Sequence, residues 1–376
     1  LLNEAVEARL VATLPVATNL PWVVALLGGL PAAAGVYVTS KLVEKQVDRL
    51  SSISYTLSGP WDDVEVAVDR IFAADLGSKD AGRSKADAEQ SEFLRMSNNR
   101  SFIAAAVQLR PQQSLQQNLA AAGALIEQAA EAGSRLVVLP ENFAYLGRKD
   151  LTEVGLAEQS TGPAYEFLAK QAQRHSLWLV GGTVPVSDAN LSKPFARSWL
   201  FDPQGDLVQH YDKIHLFDVD VPTSKEGILQ QATYRESDDY RSAATVVVAE
   251  TDPCRLGMSV CYDLRFAELF RQLADADAQV VAVPAAFTAA TGRDHWELLL
   301  RARAVENQLF VIGANMVDRD HPRRGLWGGS AIVDPWGNVL ARVDDEAGVA
   351  IAEINLDRLD EIRAKMPVAQ HRKLDL

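Results

Sequence analysis

From residue 102 onward, short apolar runs alternate with longer segments whose apolar side chains recur every three to four positions. That alternation leaves few options. A continuous apolar run suits a strand buried on both faces, and helical spacing between such runs supplies the layers that cover them. We read strands at Phe102–Leu109, Arg135–Leu139, Leu177–Gly182, Thr245–Ala249, Leu256–Val260, Val280–Pro284, Leu309–Ala314 and Ser330–Val333. Leu115, Leu119, Ala122, Ile126 and Ala129 share one helical face, and Gly133 provides the stop. Further helices are expected at Ala164–Arg174, Phe266–Ala274 and His295–Asn307. The pattern predicts an α/β fold of helix-covered sheets.

Composition removes several function classes. The 376 residues carry a formal net charge of −13, which argues against nucleic acid or anionic lipid as the main partner. Two cysteines exclude a disulfide framework, and the six histidines show no zinc-ligand spacing. There is no G-x-G-x-x-G, no phosphate loop and no G-x-S-x-G elbow. Nucleotide cofactors and a serine triad lose support accordingly.

Three polar residues stand where apolar strands end. Glu141 follows a strand and a proline in LVVLPENF, at the end of the strand where open α/β sheets place ligands. Lys213 lies in YDKIHLF, and Cys261 ends the strand in LGMSVCYDLRF just ahead of a helix start. Taken singly, each has a plain structural reading: a helix-terminal acid, a solvated lysine, a small buried hydrophobe. Together they describe an acid–base, a cation for an oxyanion and a nucleophile. The strand-to-helix turn suggests that a helix dipole favours the thiolate of Cys261.

The blocks LPENF, YDKIHLFDVD and GMSVCYDLRF, in this order, resemble the carbon–nitrogen hydrolase (nitrilase) superfamily. VPAAFTAATGRDHWELLLRARAVENQLFVIGAN and AIVDPWG extend the resemblance to about residues 102–372. It is most similar to the Nit branch, amidases of the ω-amidase and deaminated-glutathione-amidase type. The resemblance implies an α-β-β-α sandwich, a homodimer or higher homo-oligomer, and no metal or organic cofactor. Carried over by motif, Glu141 is the general base, Lys213 the oxyanion stabiliser and Cys261 the nucleophile. The segment Tyr234-Arg235-Glu236-Ser237 matches a further family motif, which makes Glu236 the fourth catalytic candidate.

The chemistry calls for these types. An amide carbon is a poor electrophile and needs a thiolate, and the developing oxyanion needs fixed positive charge. The backbone N–H of Tyr262 would join Lys213 in that role. CYDLRF differs from the Cys-Trp-Glu block of true nitrilases, which favours an amide over a nitrile. The implied substrate is a small ω-amide such as deaminated glutathione or α-ketoglutaramate, cleaved to carboxylate and ammonia. Its carboxylate calls for a cation, and Arg265 and Arg293 are candidates; Arg265 could equally pair with Glu268 or Glu297. Phe287 and Thr288 would line the pocket. His215, His295 and Cys254 are read as structural. Ala267 stands where the family usually has proline, an asparagine usual before the lysine strand is missing from ARSWLFDPQG, and the loop between Pro222 and Tyr234 is long.

The first hundred residues read differently. The chain begins Leu1-Leu2-Asn3, which points to a fragment, a processed product or an internal start. Leu20–Val38 is uncharged and long enough to consider a membrane span, with Lys41, Lys45 and Arg49 behind it. Pro21, Gly28, Gly29 and Pro31 break it, so a surface-seeking or buried apolar helix is the favoured reading over membrane contact by residues 20–38. No basic segment precedes it, as a signal peptide would require. Ser40–Leu50 reads as helical, and Ile53–Leu57 and Val64–Val68 as strands around a Ser-Gly-Pro turn. Residues of about 10–72 resemble the C-terminal end of AsmA-like envelope proteins of the YhdP type. The expected organisation is 1–77 envelope-like, 78–95 linker and 96–376 hydrolase, with Met96 the natural start of a cytoplasmic enzyme. Residues 1–95 are then a joined upstream frame or a fusion. Alternatives to an amidase are a nitrile or N-carbamoyl hydrolase of the same superfamily, or an envelope-associated scaffold.

Overall fold

The structure is a computed structural model that describes residues 5–12, 50–60, 65–73, 100–225, 228–319 and 325–374. The chain divides into two compact units, Leu1–Phe93 and Leu94–Leu376. In the first, strands Ala5–Ala12, Leu50–Pro60 and Glu65–Ala73 form an antiparallel sheet with the middle strand at its centre. The apolar run 20–38 and the expected helix at Ser40–Leu50 lie outside the described residues, apart from Leu50 itself, which begins the second strand.

The second unit holds two sheets. In the seven-stranded sheet, Gly348–Asn355, Ser101–Gln108, Ser134–Val138, Trp178–Val180 and Phe195–Phe201 lie side by side. Val184–Val186 and Leu207–Asp212 both pair with Phe195–Phe201. The six-stranded sheet runs Val247–Glu250, Arg255–Met258, Val280–Ala285, Phe310–Asn315, Ala331–Val333 and Val339–Arg342. Phe310–Asn315 packs across Ser101–Gln108, so the sheets stack face to face.

Side-chain alternation explains the layers. Ala104, Ala106, Leu136 and Val138 point into a core shared with Leu256, Met258, Val280 and Ile312 of the other sheet. Their neighbours Ala105, Val107, Val137 and Leu139 turn the other way, onto Ala122, Ile126, Leu168 and Ala172. Those four residues belong to helices Leu115–Glu131 and Pro163–His175. Helices Ala267–Asp275 and Ala289–Asn307 pack together and contribute Leu269, Leu273, Trp296 and Leu300 to the first core. Helix, sheet, sheet, helix is the α-β-β-α sandwich. Each central strand is covered on both faces, which is why the sequence shows uninterrupted apolar runs.

Two expectations need correction. The segment after Pro222 is no loop: Asp218–Lys225 and Ile228–Arg235 pair as an antiparallel hairpin, with Asp218 opposite Arg235. The helix expected from His295 begins at Ala289, because Thr288 is extended and releases the chain into the turn that follows.

Candidate active site

Strand ends from both sheets converge on one buried cluster. Glu141 lies three residues beyond Ser134–Val138, and Cys261 three residues beyond Arg255–Met258. The turn that carries Glu141 is tightly held: Asn142 has φ +56° and its N–H donates to Thr183 Oγ1 at 2.9 Å. Gly182 closes over it with φ +57°, and a Cβ there would lie 2.1 Å from the Pro140 carbonyl oxygen. No other residue fits that position.

Lys213 is the hub. It is only 1% exposed, and its Nζ donates at 2.8 Å to Glu141 Oε1 and at 2.8 Å to both oxygens of Glu236. Burial opposes the ammonium charge, but Glu141 and Glu236 outweigh it and hold the pKa well above the ordinary lysine value. Glu236 opens a short 3-10 turn and accepts from the Phe217 N–H at 2.6 Å. Burial raises its pKa despite the attraction of Lys213, and Glu141 adds to the rise. Glu141 Oε2 accepts from the Ala286 N–H at 2.8 Å, directly after strand Val280–Ala285.

Cys261 is buried and sits at φ +48°, a conformation that strains any residue with a Cβ. Its thiol lies within electrostatic range of Glu141 and Lys213. Here the sequence expectation fails. Burial, and then the Glu141 carboxylate, push the thiol pKa well above its ordinary value, outweighing Lys213. Cys261 itself opens a five-residue 3-10 turn, Cys261–Arg265, and the helix proper starts only at Ala267. The dipole is too short and too far to win. The resting thiol keeps its proton.

That protonation has a thermodynamic signature. An unfolded thiol ionises around 9.0, whereas the folded one holds its proton well above that. The folded chain therefore binds more protons above pH 9, and its stability falls as pH rises through that range. Below pH 8 the group contributes no slope. Cys254, pushed up to about 12 by burial, acts in the same sense. Urea unfolding between pH 9 and 11 should be steeper in pH for the wild type than for Cys261→Ala, by up to about 1.4 kcal/mol per pH unit.

Asp263 was not singled out in the sequence, although it lies two residues after Cys261. It is fully buried. Its Oδ2 accepts from the Val260 N–H at 2.9 Å and the Tyr211 hydroxyl at 2.7 Å. Its Oδ1 takes the His215 N–H at 3.0 Å and lies 2.7 Å from His215 Nδ1. Asp263 thus ties the turn of Cys261 to the segment on either side of Lys213. His215 also stacks on Phe266, with ring centroids 3.6 Å apart.

The cluster opens on a cavity of about 390 Å³ lined by Glu141, Lys213, Glu236, Cys261 and Tyr262 among others. Phe287 and Thr288 line it too, as expected; Tyr145, Arg148, Tyr234, Arg235 and Tyr240 were not anticipated there. The two expected arginines are not on its wall. Arg293 is exposed and paired with the adjacent Asp294 at 3.1 Å. Arg265 stands behind the wall, over the Tyr262 and Phe287 rings and 3.2 Å from His295 Nδ1. Neither Glu268 nor Glu297 is bonded to it, and Glu297 pairs with Arg342 at 2.9 Å. Tyr262 is the second residue of the 3-10 turn, so its N–H has no acceptor within that turn.

A thiol within electrostatic range of a carboxylate and of the buried ammonium bonded to that carboxylate is equipped for acyl transfer. Comparison with known proteins agrees. The carbon-nitrogen hydrolase family profile matches residues 103–364. A deaminated glutathione amidase of Synechocystis is 40% identical over 283 residues, covering 72% of this chain and 98% of the relative. Human omega-amidase NIT2 is 37% identical over 277 residues, covering 73% and 96%. The crystal structure of Saccharomyces cerevisiae Nit3, of branch 10 of the nitrilase superfamily, matches with TM-score 0.65 at 28% identity, covering 73% and 97%. The chain belongs to the carbon-nitrogen hydrolase family.

Proposed function

We propose that the protein hydrolyses a small ω-amide, of the size of α-ketoglutaramate or deaminated glutathione, to a carboxylate and ammonia. One observation carries the reading: Lys213 Nζ is bonded to Glu141 at 2.8 Å and to both oxygens of Glu236, and the Cys261 thiol lies within electrostatic range of Glu141 and Lys213 in the same buried cluster. Relatives named as amidases point the same way.

In this reading Glu141 takes the thiol proton as Sγ attacks the amide carbon. Lys213 Nζ and the Tyr262 N–H receive the oxyanion. Collapse of the tetrahedral intermediate breaks the carbon–nitrogen bond, and Glu141 returns the proton to the leaving nitrogen. Ammonia departs and leaves a thioester. Glu141 then deprotonates water, which attacks the thioester and releases the carboxylate and the thiol. Glu236 holds Lys213 in line. Arg265, half-buried and with no carboxylate bonded to it among the described residues, gives the wall behind Tyr262 and Phe287 an uncompensated positive charge that favours an anionic substrate. A homo-oligomer and a hydrolase domain of residues 96–376 belong to the same reading.

Ammonia release from a panel of ω-amides tests it. The wild type should turn over α-ketoglutaramate or deaminated glutathione, and Cys261→Ala should lose at least about 10⁴-fold while keeping its melting temperature within a few degrees. Undiminished release from Cys261→Ala would remove the thioester route. A folded wild type silent on every ω-amide would remove the substrate class.

A further inference from the structure

We propose that the hydroxyl of Tyr240 is a specificity-determining contact, donating a hydrogen bond to a second oxygen on the acyl chain of the substrate. The inference rests on the amidohydrolase reading and adds to it the kind of amide preferred.

Tyr240 lines the cavity and is 7% exposed. Its backbone N–H donates to the Glu236 carbonyl at 2.9 Å, so the turn that places Glu236 also places Tyr240. The ring packs on Leu151 and Ala196, with Leu216 beside them. Its hydroxyl lies within electrostatic range of Glu236, Glu141 and Lys213, yet is bonded to none of them among the described residues. The other two tyrosines buried among the described residues behave differently. Tyr211 donates to Asp263 at 2.7 Å, and Tyr145 to Glu158.

A phenol on a cavity wall with no protein partner holds its hydroxyl for whatever fills the cavity, and an occupant that offers no acceptor leaves it with a desolvation penalty. Here the vacant direction is the cavity, which assigns the partner to the ligand. Burial and the nearby carboxylates keep the group a neutral phenol, so it acts as a donor throughout the working pH range. The scissile carbonyl already has Lys213 and the Tyr262 N–H. What remains for Tyr240 is another acceptor on the same molecule: a keto or carboxylate oxygen. Plain aliphatic amides lack one, and for them the hydroxyl brings only its desolvation penalty.

The test compares succinamate with butanamide on the full chain and on Tyr240→Phe, which removes one oxygen and keeps the ring. For succinamate kcat/KM should fall roughly 10- to 100-fold, mainly through KM, while butanamide changes less than about twofold. The melting temperature should stay within a few degrees, since the hydroxyl is bonded to no protein group among the described residues. Succinate binding measured by calorimetry reads the same contact without turnover and should weaken by the same factor. An equal fall for both amides, no fall for either, or a melting temperature lowered by several degrees would each overturn the inference. So would a wild type that neither binds succinate nor prefers succinamate. A wild type that binds succinate but hydrolyses nothing would sink the amidase reading, while the binding comparison still judges Tyr240.

Discussion

Replacing Lys213 with methionine is expected to remove about 3–5 kcal/mol of stability at pH 7 and at least about 10³-fold of activity. The two losses have separable causes. Methionine matches the stem of the lysine, so packing changes little. What disappears is the one ammonium that both carboxylates share, at 2.8 Å from each. Glu141 and Glu236 are then left buried and facing one another, and such a pair relieves its repulsion by taking up a proton. The folded variant binds more protons than the unfolded chain, so its deficit should shrink as pH falls from 7 towards 5. Urea unfolding at both pH values reads this directly. Adding Glu236→Gln removes one negative charge and should restore a good part of the stability. It should restore none of the activity, because no donor returns to the oxyanion. If the double variant were no more stable than the single one, charge compensation by Lys213 would be the wrong account of the cluster.

The parts of this site that were legible in the sequence are those written in contiguous residues. Glu141, Lys213 and Cys261 each follow a strand within a short block, and Glu236 sits in its own four-residue motif. Their meeting around one Nζ follows from two sheets stacked face to face, which the apolar runs announce. Asp263 was harder. It stands inside a quoted block, but its meaning comes from Tyr211 and from His215, both about fifty positions upstream. Strands Val339–Arg342 and Gly348–Asn355 are unmarked in the sequence for a different reason. Each lies at a sheet margin with one neighbour and is largely half-buried or exposed, so no apolar run marks it. The hairpin after Asp218 reads as a loop because Pro222 and polar residues dominate its first arm. The arginines differ in placement. Position in the chain placed Arg265 and Arg293 near the nucleophile, but only the fold shows one behind the wall and the other in solvent. The thiolate argument weighed a dipole and omitted burial, the larger effect at this cysteine.

That last correction decides what Glu141→Gln should do. If the thiol were ionised at rest, the carboxylate would matter only for the leaving group and for water, and a small alkylating agent would find Cys261 equally reactive in the variant. Burial and the nearby carboxylate say otherwise: no thiolate forms until something takes the proton, and Glu141 is the carboxylate that acts most strongly on the thiol. Glutamine keeps the shape and can still accept from the Ala286 N–H, where Glu141 Oε2 accepts at 2.8 Å. Its amide N–H₂ then meets Lys213, a donor facing a donor, at a cost of about 1–2 kcal/mol, while Glu236 keeps the ammonium in place. Amide turnover is expected to drop about 10³- to 10⁴-fold, the share usually carried by a general base. Alkylation of Cys261 by iodoacetamide at pH 7 should slow along with it, and Cys254, buried with its thiol pushed up to about 12, should stay silent in both proteins. Equal alkylation rates in wild type and variant would restore the preformed thiolate, and with it the view that the turn after Cys261 activates the nucleophile unaided.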